Sequence, residues 1–192
     1  MSDSIPLWQA EHVNFAAVLD ILEDQLDLFH QGESPDYQMM LDIMFYMTHY
    51  PDVLHHPRED LAFARILELD ANSRPIVADL TEQHARLKDF GGALVRSLES
   101  ILDGSITVRD RVEVAGRAYI AEFRSHMVKE ETAILPLAAK LLSEEDWAAI
   151  GAAIRHIDDP LFCPKGEERY TALRQQIGRE ARASKARKLI GA

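Results

Sequence analysis

The sequence predicts an all-α protein: an antiparallel, up-down-up-down four-helix bundle followed by a smaller helical appendage. Three observations lead there. Apolar residues recur at steps of three and four over four long stretches, and no β-like alternation of useful length interrupts them. Each stretch is bounded by cap and breaker residues. The connections are short, which makes sequential helices antiparallel neighbours. The bundle spans 1–142 and the appendage 143–192, packed on the bundle or trailing from it.

The first helix runs from about Leu7 to His30 and stops at "QGESP", where Gly32 can adopt the left-handed cap. The second starts with Ser34 as cap and Pro35 at the first helical position, and continues to about Leu69. The third follows "ANSRP", with Asn72 or Ser73 capping and Pro75 in the first turn, and ends near Asp103-Gly104. The fourth opens at "TVRD", where Thr107 and Asp110 resemble a capping box, and reaches about Leu142. In the appendage, Ser143 caps a shorter fifth helix, "DDPLFCPKG" is a loop, and a sixth helix from about Glu167 runs into the basic tail "REARASKARKLIGA".

Bulk properties exclude several classes of function. The chain has 192 residues, 47% of them apolar, enough for one real core. Its net charge of −11 argues against general nucleic-acid binding, which needs basic surface. The single cysteine, Cys163, excludes an internal disulfide framework. No signal-like start is seen and no apolar run suits a membrane span, so a cytoplasmic protein is expected. Homodimerisation is compatible with these features.

The inward stripes carry the chemistry. On the first helix the stripe is Trp8, His12, Phe15, Leu19, Leu22 and Leu26; on the third it is Val77, Leu80, His84, Leu87, Gly91, Leu94 and Leu98. The second helix gives Leu41, Phe45, Thr48, Asp52, His55, Glu59, Ala62 and Ile66. The fourth gives Val112, Gly116, Tyr119, Phe123, His126, Glu130, Ala133, Leu137 and Leu141. Every helix thus points a histidine at the core, and two add a glutamate one turn further on. At the helical rise the six groups fall within about one and a half turns of a common level. A buried ionised carboxylate costs several kcal/mol unless paired or metal-bound. Two of them among four histidines, with no Lys or Arg in the seams, call for a cation. Imidazole and carboxylate together suit iron, zinc or manganese. Six ligands with two carboxylates suit a pair of ions about 3.5–4 Å apart, each glutamate bridging. The expected ligands are His12, His55, Glu59, His84, His126 and Glu130.

The pairs "HHPRED" and "HMVKEE", with one histidine each on the first and third helices, resemble the hemerythrin-like HHE cation-binding domain family over about residues 7–142. The resemblance implies a four-helix bundle around a non-haem di-iron centre with an oxo or hydroxo bridge, held by the same six residues. The oxygen carriers of that family have a second histidine four residues after that of the third helix, where this chain has Lys88, and end in HxxxxD where it has HxxxE. The resemblance therefore points away from O2 transport and toward O2 or NO sensing, or iron handling under stress. A di-iron oxidase or peroxidase, and a metal-stabilised regulatory protein, are the rival readings. On the second helix, a small rotation would make His56 and Asp60 the pair in place of His55 and Glu59. Pro57 bends that helix near the Val53 carbonyl and brings His49 or His56 into reach as a further ligand or donor. Tyr119, two turns before His126, is a candidate hydrogen-bond donor to a bound oxygen species.

Overall fold

The computed structural model describes residues 4–104, 109–154, 157–163 and 168–179; all their regular secondary structure is helical, with no strand among them. The first helix, α1 (Ser4–His30), ends as expected. Gly32 takes φ +83°, and the amide of Glu33 reaches back to the Leu28 carbonyl at 3.0 Å. The next helix, α2 (Tyr37–His49), begins two residues after Pro35. Its cap is Asp36 rather than Ser34, with the Asp36 carboxylate accepting from the Met39 amide at 2.9 Å.

The predicted second helix does not run through to Leu69 as one α-helix. A π-turn over Pro51–His55 divides α2 from α3 (His56–Leu69). Here the His55 and His56 amides reach five residues back, to the carbonyls of Tyr50 and Pro51. Pro57 follows with no amide to give, and Arg58 Nε donates to the Leu54 carbonyl at 3.0 Å. The distortion expected at Pro57 is thus an inserted residue just before it. The fourth predicted helix is divided in the same way into α5 (Arg109–Lys129), a π-turn (Glu130–Ile134) and α6 (Leu135–Leu141), again with a proline, Pro136, just behind. Between these, a 3₁₀ turn (Ala71–Ser73) leads into α4 (Arg74–Leu102), and Gly104 follows its end with φ +82°. Ser73 occupies the cap position of α4, but its hydroxyl donates back to the Asp70 carbonyl at 2.6 Å. Thr107 lies outside the described residues, as do His156, Glu167 and the basic tail.

Packing follows a closed ring: α1 lies against α2 and α5, and α4 against the same two. Beyond the π-turns, α3 packs on α4, α6 and α7 (Glu144–Ala153). A capping box between Ser143 and Asp146 starts α7, as the sequence predicts. Trp147 of α7 meets Trp8 edge-on at 5.3 Å. Leu161, Tyr170 and Leu173 join the same apolar cluster as Phe15, Tyr46 and Leu94.

The two helices without π-turns bury every stripe residue predicted for them, from Trp8 to Leu26 and from Val77 to Leu98. The two with π-turns depart by one position on the far side of the turn. Met40, Met44 and Met47 are buried where Leu41, Phe45 and Thr48 were expected, and the latter three are half-buried. Ile134, Ala138 and Leu142 are buried where Ala133, Leu137 and Leu141 were expected. One extra residue in a turn rotates everything beyond it by about 100° relative to an unbroken α-helix.

Close approach of α2 and α4 depends on Gly91. A Cβ there would stand 2.8 Å from Thr48 Cγ2 and 3.3 Å from Tyr119 Cε2. Thr48 is held in place by its hydroxyl's bond to the Met44 carbonyl at 2.8 Å. Gly91→Ala should therefore destabilise the protein by about 1–3 kcal/mol through overpacking. Urea denaturation checks this; a variant as stable as the parent would mean that the seam has slack.

Candidate metal centre

Each helix carries its polar residues at the level where the apolar core divides. Phe15 to Leu26, Leu87 to Leu98 and Val112 to Phe123 belong to one apolar cluster. Trp8, Ala62, Phe63, Ile66, Val77, Leu80 and Ile134 belong to a second. Between them in the chain, on α1, α3, α4, α5 and the two π-turns, come His12, His55, His56, Glu59, His84, His126 and Glu130, all buried.

These seven residues form two groups that share a carboxylate. His12, His55, Glu59 and Glu130 each offer one ligand atom, and those four atoms lie within 4.8 Å of one another. His56, Glu59, His84 and His126 do the same. All six residues expected from the sequence are therefore brought together, and His56 joins them. Both adjacent histidines point inward because the π-turn ends between them; on a regular α-helix they would diverge by about 100°. The sequence offers His56 both as an alternative to His55 and as a further ligand or donor, and the structure places both in the cluster.

The other candidates fall elsewhere. Asp60 is half exposed and hydrogen-bonds His84 Nδ1 at 2.9 Å. His49 is outside both groups: its Nδ1 bonds the Phe45 carbonyl at 2.8 Å and its ring stacks on Phe45. Tyr119 is fully buried, and its hydroxyl has no hydrogen-bond partner among the described residues. It belongs to neither group.

Outer carboxylates hydrogen-bond three of the five rings at Nδ1, leaving Nε2 to face the centre, and a fourth acid lies close to His56 without a hydrogen bond. His12 bonds Glu131 at 3.1 Å, His55 bonds Glu11 at 2.6 Å, and His84 bonds Asp60; Asp52 stands 3.2 Å from His56 Nδ1. His126 Nδ1 has no such partner among the described residues. Glu11 was not foreseen, nor was Arg58, whose guanidinium bonds both Glu11 oxygens at 2.7 and 2.9 Å. Their sequence signal was weak: Glu11 merely precedes His12. The Asp52–His56 pair was legible as an i,i+4 spacing.

The donor atoms fit a cation. His12 Nε2 and His55 Nε2 are 3.1 Å apart, and His84 Nε2 and His126 Nε2 are 3.2 Å apart. Two nitrogens bound at right angles to one ion at about 2.1 Å would stand about 3.0 Å apart. All four oxygens of Glu59 and Glu130 are buried and lack hydrogen bonds, as does His56 Nε2. Histidine nitrogens nonetheless crowd the carboxylates. Glu59 lies 2.8 Å from His55 Nε2, and one Glu130 oxygen lies 3.3 Å from both His12 Nε2 and His126 Nε2. Buried carboxylates surrounded by misaligned ring nitrogens leave coordination unsatisfied.

Without a cation, protons take over part of its role. Burial opposes a charge on His12, but the nearby Glu130 and Glu59 carboxylates, 3.3 and 3.7 Å from its Nε2, outweigh it and raise the pKa to about 10. His84 is raised to about 11, where burial is outweighed by Asp60, Glu130 and Glu59. His126 is lowered to about 4, chiefly by burial. His56 is pushed well down by burial and by the charges of His84 and His126. Burial also raises Asp52 to about 7.

Two adjoining buried His/Glu groups in the core of a helical protein define a candidate cation site. The hemerythrin HHE cation binding domain model matches residues 3–138, and the chain belongs to that family. No curated protein and no solved structure matches it. Among the described residues no helix is long and apolar enough to cross a membrane.

The raised histidines give the metal-free chain a definite pH dependence. Each contributes stability that is complete below its unfolded pKa of about 6.5 and is lost as pH rises through the folded value. Asp52, favoured in its neutral form, acts in the same direction through its own range. Chelator-treated protein should therefore lose stability from about pH 6.5 to about pH 11, the His12 part by about pH 10 and the His84 part by about pH 11. Urea midpoints across that range test it; a midpoint that climbs with pH would show that His12 and His84 are not protonated.

Proposed function

We propose that the chain is a non-haem di-iron protein that binds or senses O2 or NO, or handles iron in the response to them, on an up-down-up-down bundle. The observation that carries this reading is the sharing of Glu59 between two four-residue groups, which suits two adjacent ions better than one. His12, His55, Glu59 and Glu130 would hold one ion, and His56, Glu59, His84 and His126 the other. Glu59 would bridge them. Glu130, near His12 on one side and His126 on the other, would bridge as well.

Five imidazoles and two carboxylates suit iron, and also zinc and manganese; membership of the HHE family favours iron. The histidine that the oxygen carriers place where this chain has Lys88 is made up for by His56, so the ligand count is not reduced. The source of the fifth imidazole is what changes, from the third predicted helix to the second. An iron pair, when bound, supplies exchangeable electrons and open coordination positions for a diatomic molecule. The chain's own residues do the rest. Glu131, Glu11 and Asp60 fix which ring nitrogen of His12, His55 and His84 faces the centre. The two apolar clusters keep bulk water from it.

Protein loaded anaerobically with Fe(II) should hold about two irons per chain, and should gain near-ultraviolet absorption on exposure to air. His56→Ala and His84→Ala should each lower the iron content to about one or less, while His49→Ala leaves it unchanged. Metal analysis with an optical spectrum decides; less than half an equivalent in folded parent protein would end the di-iron reading.

A further inference from the structure

Segment 157–163, which follows α7, is joined to the candidate centre by an unbroken line of contacts, buried as far as Tyr46 and part-buried at Asp159. His55 Nδ1 bonds Glu11 Oε2 at 2.6 Å. The other oxygen of Glu11 accepts from the Tyr50 hydroxyl at 2.8 Å. The Tyr50 ring stacks on Tyr46, with centroids 5.7 Å and planes 11° apart. The Tyr46 hydroxyl donates to Asp159 Oδ2 at 2.8 Å. Asp159 Oδ1 in turn accepts from the amides of Leu161 and Phe162 at 2.9 and 3.1 Å, which shapes the loop. Leu161 is fully buried, and Tyr170 meets the Tyr46 ring edge-on at 5.9 Å.

We propose that cation occupancy at the centre controls how firmly residues 157–163 and 168–179 dock on the bundle, through the line His55–Glu11–Tyr50–Tyr46–Asp159. The C-terminal segment is then the output of the site. This inference rests on the metal reading above.

His55 is the one member of the line that faces both Glu59 and Glu11. A cation on Nε2 pins the ring, and a pinned ring keeps Nδ1 on Glu11. With no cation the ring is held at Nε2 only by His12 and Glu59, neither of which fixes its plane as a coordinate bond does. Glu11 is the acceptor on which the Tyr50 hydroxyl depends, and Tyr50 is the surface on which Tyr46 stacks. A shift at Glu11 therefore reaches Asp159 through groups that are all buried and packed. Coupling of this kind is reciprocal: if a cation strengthens docking by some factor, docking strengthens cation binding by the same factor.

The test is hydrogen exchange on the full chain, chelated and loaded with Fe(II) or Zn(II). Amides of 157–163 and 168–179 should exchange on the order of five- to tenfold more slowly after loading, a usual coupling magnitude. Tyr46→Phe should still take two cations and still gain protection in α4, yet lose the gain at 157–163 and 168–179. Leu161→Ala keeps every hydrogen bond of the line but loosens docking. It should lower cation affinity by about the factor seen in the protection. Parent protein that takes two cations with no change at 157–163 and 168–179 overturns the coupling and leaves the metal reading standing. So does a Tyr46→Phe variant that responds like the parent, or an unchanged affinity in Leu161→Ala. Parent protein that takes no cation overturns both.

Discussion

Two carboxylates, Glu59 and Glu130, sit fully buried where the apolar core divides, and the rest of the structure is arranged around that constraint. An ionised carboxylate without partners is too costly for a protein interior. Here the neutralising charge comes from within the same layer. In the metal-free chain, protonated His12 and His84 supply it, and Glu59 stays well below its usual pKa despite burial because of His55, His12 and His84. That arrangement is incomplete, since the carboxylate oxygens lack aligned hydrogen bonds. A divalent ion in each half of the cluster would replace the protons and satisfy those lone pairs. Its binding energy would then count toward folding, because the same contacts close the core.

The π-turns are the structural means of concentrating so many ligands at one level. An α-helix presents about one residue per turn to a given point, so a regular helix would direct His55 and Glu59 at the layer but not the adjacent His56 as well. The turn at Pro51–His55 lets two consecutive histidines face inward, with Glu59 a turn beyond them. The turn at Glu130–Ile134 begins at the second carboxylate. Such π-turns are rare, occur mostly as single turns inside α-helices, and are frequent at functional sites. A proline lies just behind each, Pro57 and Pro136, where the lost amide cannot restore the regular ladder.

An outer layer of acids gives the cluster direction. Glu11 and Asp52 are inside the protein, whereas Glu131 and Asp60 are about half exposed. The centre therefore has a protected side, toward Tyr50 and the C-terminal segment, and a solvent-facing side. Glu11 is the most constrained of these acids: against the effect of burial, His55 and Arg58 hold its pKa down to about 2. A carboxylate fixed by a guanidinium, a phenol and an imidazole transmits position rather than charge.

The helices, their capping at Gly32, Ser143 and Gly104, and the six principal candidate ligands were legible from periodicity and spacing. Where a helix is regular, as in α1 and α4, the 3.6-residue period names the buried face from end to end. Where a π-turn intervenes, the same period fails by one residue beyond it, so Leu41, Phe45 and Thr48 gave way to Met40, Met44 and Met47. Periodicity assumes a constant twist, and nothing local in "YPDVLHHP" or "KEETAILP" announces the extra residue, since proline is equally compatible with a simple bend. His56 could not be told from His55 for that reason. The outer acids Glu11 and Glu131 lie next to ligands in sequence but meet rings on other helices, and such pairings exist only once the helices have packed. The sequence by itself determined that a helical bundle would bury histidines and carboxylates at one level. Tertiary packing decided which atoms converge there, because ring orientation and turn width respond to neighbours far away along the chain.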